Sequence, residues 1–364
     1  MPKLSINLVT WNGAQYLVHL FSSLKNQTFK DWELVVIDNA STDITPELVP
    51  WTAKISNLPL KYIANKENLG FAKAHNQAIK ENHDEYVLVL NQDIYLQPDC
   101  LEKIVYILDA KSDVASVAPR LMRWNLPTPP EVEPLEPTPL YIETTFTDTI
   151  DSLGLKVLRS RRVVEFGMGK KWHEAATTTD PSTSTSVSKV FGVSGACALY
   201  RRKAMEEIML DGNFFDESYG SYKEDVDVTF RLQSAGWTSY VALDAVAYHD
   251  RTAHSSDANG TPVFWDDLSQ AFNKQKQAAA IRLYSERNHL YTLFKNEYWQ
   301  NFILDFPWIV WYELKKFVYF LLFDRAVLAG LGDIWRERKE LKMKRLRTTK
   351  LRKVSWRELR KWFV

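Results

Sequence analysis

Cysteine is nearly absent. The 364-residue chain has two, Cys100 and Cys197. Two thiols build neither a disulfide framework nor a thiolate zinc site, so a reducing compartment is the natural setting. An excess of one charge is missing too. There are 46 Lys and Arg against 45 Asp and Glu, a net charge of +1, so the molecule as a whole has no field that selects a polyanion. No uninterrupted apolar run reaches the ~20 residues of a spanning helix. The opening MPKLSINLVTWN goes almost directly into a strand pattern without a basic start and a long apolar segment, and no signal peptide is expected. There is no internal repeat and no Walker A, HExxH or serine-elbow motif. GMGK at 167–170 is half of a phosphate loop and lacks the remaining Gly and Ser/Thr.

What is present is a large core-forming fraction, 45% hydrophobic and 13% aromatic residues, on a length that suits two domains or one domain with extensions. Residues 4–11 read as a strand, YLVHLFSSLKNQ as a helix and ELVVIDN (33–39) as a second strand. ASTDITPELV reads as a turn and a helix start, with Thr45 as N-cap and Pro46 at the first helical position. PLKYIAN is a third strand, NLGFAKAHNQAIKEN a Gly-opened helix and YVLVLN a fourth strand. This alternation predicts an α/β fold, a Rossmann-like, mostly parallel sheet flanked by helices. After Arg123, NLPTPPEVEPLEPTPL reads as an extended loop, TTFTDTIDSLGLKVLRSRRVVEFGMGK as short strands or hairpins, and AATTTDPSTSTSVS as a second low-complexity loop. VFGVSGACALYRRKAMEEI returns to strand, small-residue turn and helix. The small residues 194–198 allow close approach of a backbone or a ligand.

The apolar run Tyr86–Leu90 ends at once in Asn91, Gln92 and Asp93. Polar residues end many strands, but open parallel sheets bind ligands just beyond the carboxyl ends of their strands. Thr10-Trp11-Asn12 and Asp38-Asn39 project from the same edge if the strands are parallel. Farther on, Glu224, Asp225 and Asp227 open a helix, where the dipole favours acids. Asp227 and Arg231 have the i, i+4 spacing of an ordinary ion pair. Glu224 and Asp225 are less easily explained, because adjacent acids repel unless a cation or a substrate's donors relieve them. TSYVALDAVAYHD ends in His249, again at a strand tip. A hard divalent ion on a nucleotide diphosphate needs only one or two protein carboxylates, and an imidazole in the set tilts the choice toward Mn²⁺, with Mg²⁺ still open. Trp172 and His173 read as packing residues or as the lining of an acceptor pocket.

Taken in order, VTWN (9–12), VVIDNASTD (35–43), NLGFAKAHNQAI (68–79), LNQD (90–93), GACALYRR (195–202), FFDESYGSYKEDVDVTFRLQSAGW (214–237) and AVAYH (245–249) resemble the family 2 glycosyltransferases of GT-A fold, closest to the rhamnosyltransferase-like branch. The resemblance covers roughly residues 3–295. It implies nucleoside binding at Thr10, Asn12 and Asp38, with Asn68, Gly70 and Lys73 beside the nucleotide. It sets LNQD, with Asn91 and Gln92, at the family's acidic motif, and Asp93 and His249 at its metal and diphosphate site. Asp225, paired with Glu224, falls at the catalytic base. Asn91 departs from the usual first acid of the motif. The function so implied is inverting transfer of a sugar, such as rhamnose or another deoxyhexose, from a dTDP- or UDP-linked nucleotide sugar to a hydroxyl of a lipid-linked or cell-surface glycan, with Mn²⁺ or Mg²⁺. The substitution at Asn91 leaves open a non-catalytic glycan- or nucleotide-binding module. A nucleotidyltransferase would show a Gly-rich basic loop near the N-terminus, and VTWNGAQYL is not one.

The expected division is a catalytic domain over 1–298 (a nucleotide-binding half 1–120, an insertion 121–190, an acceptor and catalytic half 191–298) and a helical tail over 299–364. The tail begins very apolar but is interrupted by Asp305, Glu313, Lys315, Lys316, Asp324 and Arg325, and ends strongly basic with aromatics. Two uses fit: helices lying in an anionic membrane interface, or helices packed on the domain. The first suits a cytoplasmic enzyme on the inner face of the plasma membrane. Nucleic acid is not expected, since no recognition fold accompanies the basic run.

Overall fold

The computed structural model describes residues 1–127, 142–173, 186–251 and 279–364. Most of the two low-complexity loops expected after Arg123 lies outside the described residues.

The first half alternates as expected: β1 (Leu4–Thr10), α1 (Ala14–Lys25), β2 (Trp32–Asp38), α2 (Thr45–Ser56), β3 (Leu60–Ala64), α3 (Gly70–Lys80), β4 (Tyr86–Asn91), β5 (Ile94–Leu96), α4 (Cys100–Ala110) and β6 (Val114–Trp124). There follow β7 (Phe146–Ser152), β8 (Leu155–Val157), β9 (Val163–Glu165), β10 (Val187–Val190), β11 (Cys197–Arg201), α5 (Arg202–Ile208), α6 (Glu224–Ser234) and β12 (Thr238–His249). The chain closes with α7 (Ala279–Asn296), α8 (Trp299–Leu304), α9 (Phe306–Phe323), α10 (Ala329–Lys350) and α11 (Trp356–Arg360).

The main sheet runs β10-β12-β6-β11-β4-β1-β2-β3, with β5 on β12 and β7 on β6. β1 is parallel to β2 and β4, β2 to β3, and β6 to β12, whereas β11 runs against both β4 and β6. Alternation along the strands builds two apolar layers. Leu88 and Leu90 of β4 join α1 and α4 on one face, and Val87 and Val89 join α3, α5 and α6 on the other. β4 is covered on both sides, which is why its sequence is an unbroken apolar run.

One capping expectation is corrected. α2 begins at Thr45, with Ile44 in the cap position. Asp43 accepts from the Thr45 amide at 2.9 Å, and the Thr45 hydroxyl instead accepts from the Gly13 amide at 2.9 Å, tying the start of α1 to α2.

The C-terminal residues are built into the domain. Leu359 and Phe363 pack with Val157, Phe191 and Phe230, and Phe363 forms a bridge with Val157. Arg161 binds Glu297 at 2.6 Å and Asp305 at 3.0 Å, and Arg360 binds Asp305 at 2.7 Å. Thus Arg360, and Lys344 through Asp216 at 2.7 Å, are cations of the basic run that meet buried carboxylates. No helix among the described residues is long and apolar enough to cross a membrane.

Candidate active site

β1, β2, β4, β6 and β12 end on one edge of the sheet because they are parallel. β11, being antiparallel, begins there. At the tips of β1, β2 and β4 the residues expected to bind a nucleotide are tied to one another. Thr10 donates to Gln92 Oε1 at 2.6 Å, and the Trp11 amide donates to the same oxygen at 2.9 Å, so Gln92 pins the end of β1 to the end of β4. Asn12, at φ 48°, accepts from the Thr42 amide at 2.8 Å. Asp38 accepts from the Ser41 amide at 3.0 Å and from the Tyr62 hydroxyl at 3.0 Å; burial first, then Asp38, pushes the Tyr62 pKa up. Asn39 accepts from the Leu69 amide at 2.9 Å and donates to Asn68 at 2.8 Å. Lys73 is exposed on α3, and Asn91 is half-buried at the end of β4.

Gly70 has φ +74°, and a Cβ there would sit 3.0 Å from the carbonyl oxygen of Gly220. The first turn of α3 therefore rests against the 217–223 segment, with the Ala72 amide donating to Gly220 at 2.9 Å. Residues of the expected nucleotide-binding half and of the expected catalytic half meet at this contact.

After β4 the chain turns at Gln92-Asp93 and returns as β5, antiparallel to the end of β12, with Ile94 opposite His249. This register sets Asp93 Oδ1 3.5 Å from His249 Nε2. The other ring nitrogen of His249 lies 2.8 Å from Asp151 Oδ2. Burial works against a charged imidazole, but the Asp93 charge and the Asp151 hydrogen bond outweigh it and push the His249 pKa up to about 10. Asp151 is itself buried, which opposes ionisation, yet His249 and Arg251 hold its carboxyl below the usual range.

From here a chain of contacts leads to the second acidic group. Arg251 Nε is 3.1 Å from Asp151 and its Nη2 3.1 Å from Glu165. Glu165 accepts from Ser194 at 3.1 Å. The next amide, Gly195, donates to Asp225 Oδ2 at 3.0 Å. Asp93, His249 and Asp225 thus belong to one contiguous polar system. The small-residue run at 194–198 serves this approach: a Cβ on Gly195 would stand 3.3 Å from the Asp225 Cβ.

Burial raises the Asp225 pKa, against the amides of Gly195 and Val226, which favour the carboxylate. Glu224 is more deeply buried. Burial first, then the Asp225 charge, pushes its pKa well up, and its Oε2 has no hydrogen-bond partner. Of the two, Glu224 is pushed further toward its neutral form, and only Asp225 has amides that favour its carboxylate on both oxygens. Asp227 turns the other way. Its pair with Arg231, at 2.9 Å, is fully buried and joined by Lys295 at 2.9 Å, so it is a core ion cluster and not the ordinary surface pair its spacing suggests. Trp172 packs under Arg120, 3.9 Å from the ring centre, while His173 is exposed beside Asp148.

Asp151, Glu165, Arg251 and Asn288 were not anticipated. Arg251 could have been suspected from its place two residues past the β12 tip. Asp151 and Glu165 carry no spacing signal. Asn288 is informative: its amide donates to the carbonyls of Tyr219, Ser221 and Tyr222 at 2.8, 2.9 and 2.8 Å. Tyr222 and Lys223 are consecutive left-handed residues at φ 73° and 66°, a costly arrangement for side chains with a Cβ. Asn288 fastens the strained turn that launches α6 and so positions Asp225. Asn288→Ala is expected to lower turnover by roughly 10²-fold, the scale of a ~1 Å misplacement, with little change in donor affinity. Steady-state kinetics with a donor-binding titration checks this, and Asn288→Asp, which keeps the shape but not the donors, should not restore the rate.

Two protein groups fit a hard divalent ion. Asp93 Oδ1 is buried and faces His249 Nε2 at 3.5 Å, and His249 has its far nitrogen fixed by a carboxylate, the arrangement that orients metal-binding imidazoles; an ion bound between the two would displace the Nε2 proton. Among the described residues no three His, Cys, Asp or Glu converge on a metal position.

The strand order, with a mixed sheet between helical layers and acidic residues at one edge, is that of the GT-A architecture. GalNAc-T7, solved with UDP, GalNAc and Mn²⁺, has TM-score 0.57 at 12% identity over 83% of this chain and 50% of that one. The mannosyltransferase PcManGT of Pyrobaculum calidifontis, solved with GDP-Man and Mn²⁺, has TM-score 0.50 at 16% identity over 96% of this chain and 86% of that one. At these identities the likeness is one of fold.

The model of glycosyl transferase family 2 matches residues 5–209, more than half of the chain, and that of glycosyl transferase family group 2 matches residues 162–328; the chain belongs to glycosyl transferase family 2. It is 28% identical over 272 residues to the N-acetylglucosaminyl-diphospho-decaprenol L-rhamnosyltransferase of Mycobacterium tuberculosis, 70% of this chain and 77% of that protein. It is 30% identical over 116 residues to an uncharacterized glycosyltransferase of Haemophilus influenzae, 32% of this chain and only 36% of that relative's length.

Proposed function

We propose that this glycosyltransferase moves a deoxyhexose such as rhamnose from a dTDP- or UDP-linked donor to a hydroxyl of a lipid-linked glycan at a membrane surface, with inversion. One observation carries the reading: the Asp93–His249–Asp151 contacts and the Asp225 carboxylate share one polar system at the strand edge. The mycobacterial relative, by its description an L-rhamnosyltransferase acting on a decaprenol diphosphate, supports the sugar and acceptor class. The nucleotide diphosphates and Mn²⁺ in the two fold relatives support the donor and the ion.

In this reading Asp93 and His249 would hold Mn²⁺ or Mg²⁺, with Asp151 and Arg251 keeping them oriented, and a bound ion would supply positive charge to the diphosphate leaving group. Asp225 accepts the acceptor hydroxyl's proton as that oxygen bonds to the anomeric carbon. The bond from that carbon to the diphosphate oxygen breaks on the opposite face, and the nucleoside diphosphate leaves with its electron pair. Thr10, Asn12, Asp38, Asn68, Gly70 and Lys73 line the nucleotide side, with Asn91 and Gln92 at the β4 tip.

Asp93→Ala should abolish the Mn²⁺-dependent part of donor binding, and Asp151→Asn should weaken Mn²⁺ affinity roughly 10–100-fold, the usual cost of losing an outer partner of a metal-bound imidazole. Titration of dTDP- and UDP-sugars with and without Mn²⁺ reads both. Donor binding indifferent to Mn²⁺ and to both substitutions would refute the metal assignment. Asn91, which leaves one acid fewer at the strand tip, favours a binding module on the same fold, and donor turnover by the wild-type chain separates the two.

A further inference from the structure

α9 is amphipathic with its faces reversed. A surface helix normally turns its apolar stripe to the core and its charges to water. Here Glu313 points inward to His289 at 2.8 Å, and Lys316 points inward to Glu286 at 2.6 Å and Glu313 at 2.9 Å. Ile309 and Phe320 are buried as well, so positions 309, 313, 316 and 320 form the inward side, which Glu313 and Lys316 tie to α7. The opposite side presents Trp308, Trp311, Leu314, Val318, Leu322 and Phe323, with Trp311 62% and Leu322 64% exposed, and the exposed Lys315 among them. Ile303 and Leu304 of α8 and Leu331 and Trp335 of α10 are exposed as well. A surface this apolar marks an interaction site.

We propose that this outward face of α9 seats the chain in the headgroup and acyl boundary of an anionic lipid bilayer. Three observations select lipid over a second copy of the chain. First, nearby carboxylates are turned inward and paired: Asp305 with Arg161 and Arg360, Glu313 with His289 and Lys316, and Asp324 with Arg282. Second, cations flank the apolar residues. Arg159 lies over Trp308 at 5.1 Å and Arg338 over Trp335 at 4.3 Å, a pairing of cation and amphipathic ring suited to headgroup depth. Such a rim attracts anionic headgroups and repels the same rim on a two-fold-related copy. Third, a cavity of about 190 Å³ lies between α7, α9 and the start of α10, with Leu290, Phe320, Val327 and Leu328 in its wall together with Glu286, Arg287 and Glu313, beside the exposed Phe317 and Leu331. It offers depth for an acyl or prenyl segment. The ion pairs to α7 hold α9 against the domain, so it lies along the surface and does not cross it.

The inference stands apart from the acceptor reading, because binding is measured without donor or acceptor. The full chain is mixed with vesicles of phosphatidylcholine alone and with equimolar phosphatidylcholine and phosphatidylglycerol, and sedimentation and tryptophan emission are followed. The wild-type chain should partition to the anionic vesicles with a blue shift. The triple variant Trp308→Ser, Trp311→Ser and Leu322→Ser should partition at least tenfold less, with its thermal unfolding unchanged because all three residues are exposed. Equal partitioning of wild type and variant, or none by the wild type, overturns the proposal. A wild-type dimer that the triple variant converts to a monomer, without vesicle binding by either, assigns the face to a second copy and also overturns it.

Discussion

Asp225→Asn is expected to cut sugar transfer by roughly 10²–10⁴, the usual contribution of a positioned general base, while donor affinity changes little. The carboxamide keeps the shape but can accept from only one of the Gly195 and Val226 amides, which now meet different oxygens of Asp225 at 3.0 and 2.7 Å. It cannot take a proton. Burial raises the Asp225 pKa, which brings the base closer to working pH and strengthens it as a proton acceptor. Turnover in the wild-type chain should fall as pH drops through that raised value, because the protonated acid is not a base. Steady-state transfer assays across pH, with donor titration at each point, check both parts. Near-wild-type turnover in the Asn variant would remove Asp225 from the role.

The second large effect is on stability. Lys295→Met is expected to destabilise the fold by about 3–5 kcal/mol, the range for breaking a buried ion pair by removing one partner. Lys295 is fully buried, 2.5 Å from Asp216 and 2.9 Å from Asp227. Lys344 of α10 also reaches Asp216, at 2.7 Å, and Arg231 reaches Asp227 at 2.9 Å. Without Lys295, two buried carboxylates share the two remaining cations. The cluster sits beneath the segment leading to Asp225, so its loss should loosen the site as well. Burial alone would raise the Asp216 pKa, but Lys295 and Lys344 hold that carboxyl far below its usual range; Asp227 is likewise lowered, by Lys295 and Arg231. Both folded values lie below the unfolded one of about 3.9, so the stabilisation is complete above that range and is lost as pH falls through it. Denaturant unfolding of wild type and Lys295→Met between neutral pH and the carboxylate range reads the difference, which should narrow as the medium becomes acidic. An unchanged unfolding midpoint at neutral pH would contradict it.

The sequence by itself determined the parallel core and much of the strand edge. β4 is an unbroken apolar run because it is covered on both faces, and a strand tip is legible wherever such a run stops, as at Asp93 and His249. Asp225 was legible because it sits beside a second acid at a helix start. Only the tertiary structure decided which distant groups complete the site. Asp151 meets His249 across 98 residues, and Asn288 meets Tyr219 across 69, and neither meeting leaves a periodic trace. The same holds for α9. Its charges read in the sequence as interruptions of an apolar segment, whereas α7 supplies partners for Glu313 and Lys316 and turns these two inward, leaving the aromatic face and Lys315 outside. Periodicity reports which residues share a face of one element; which way that face turns is fixed by the neighbouring element it packs against.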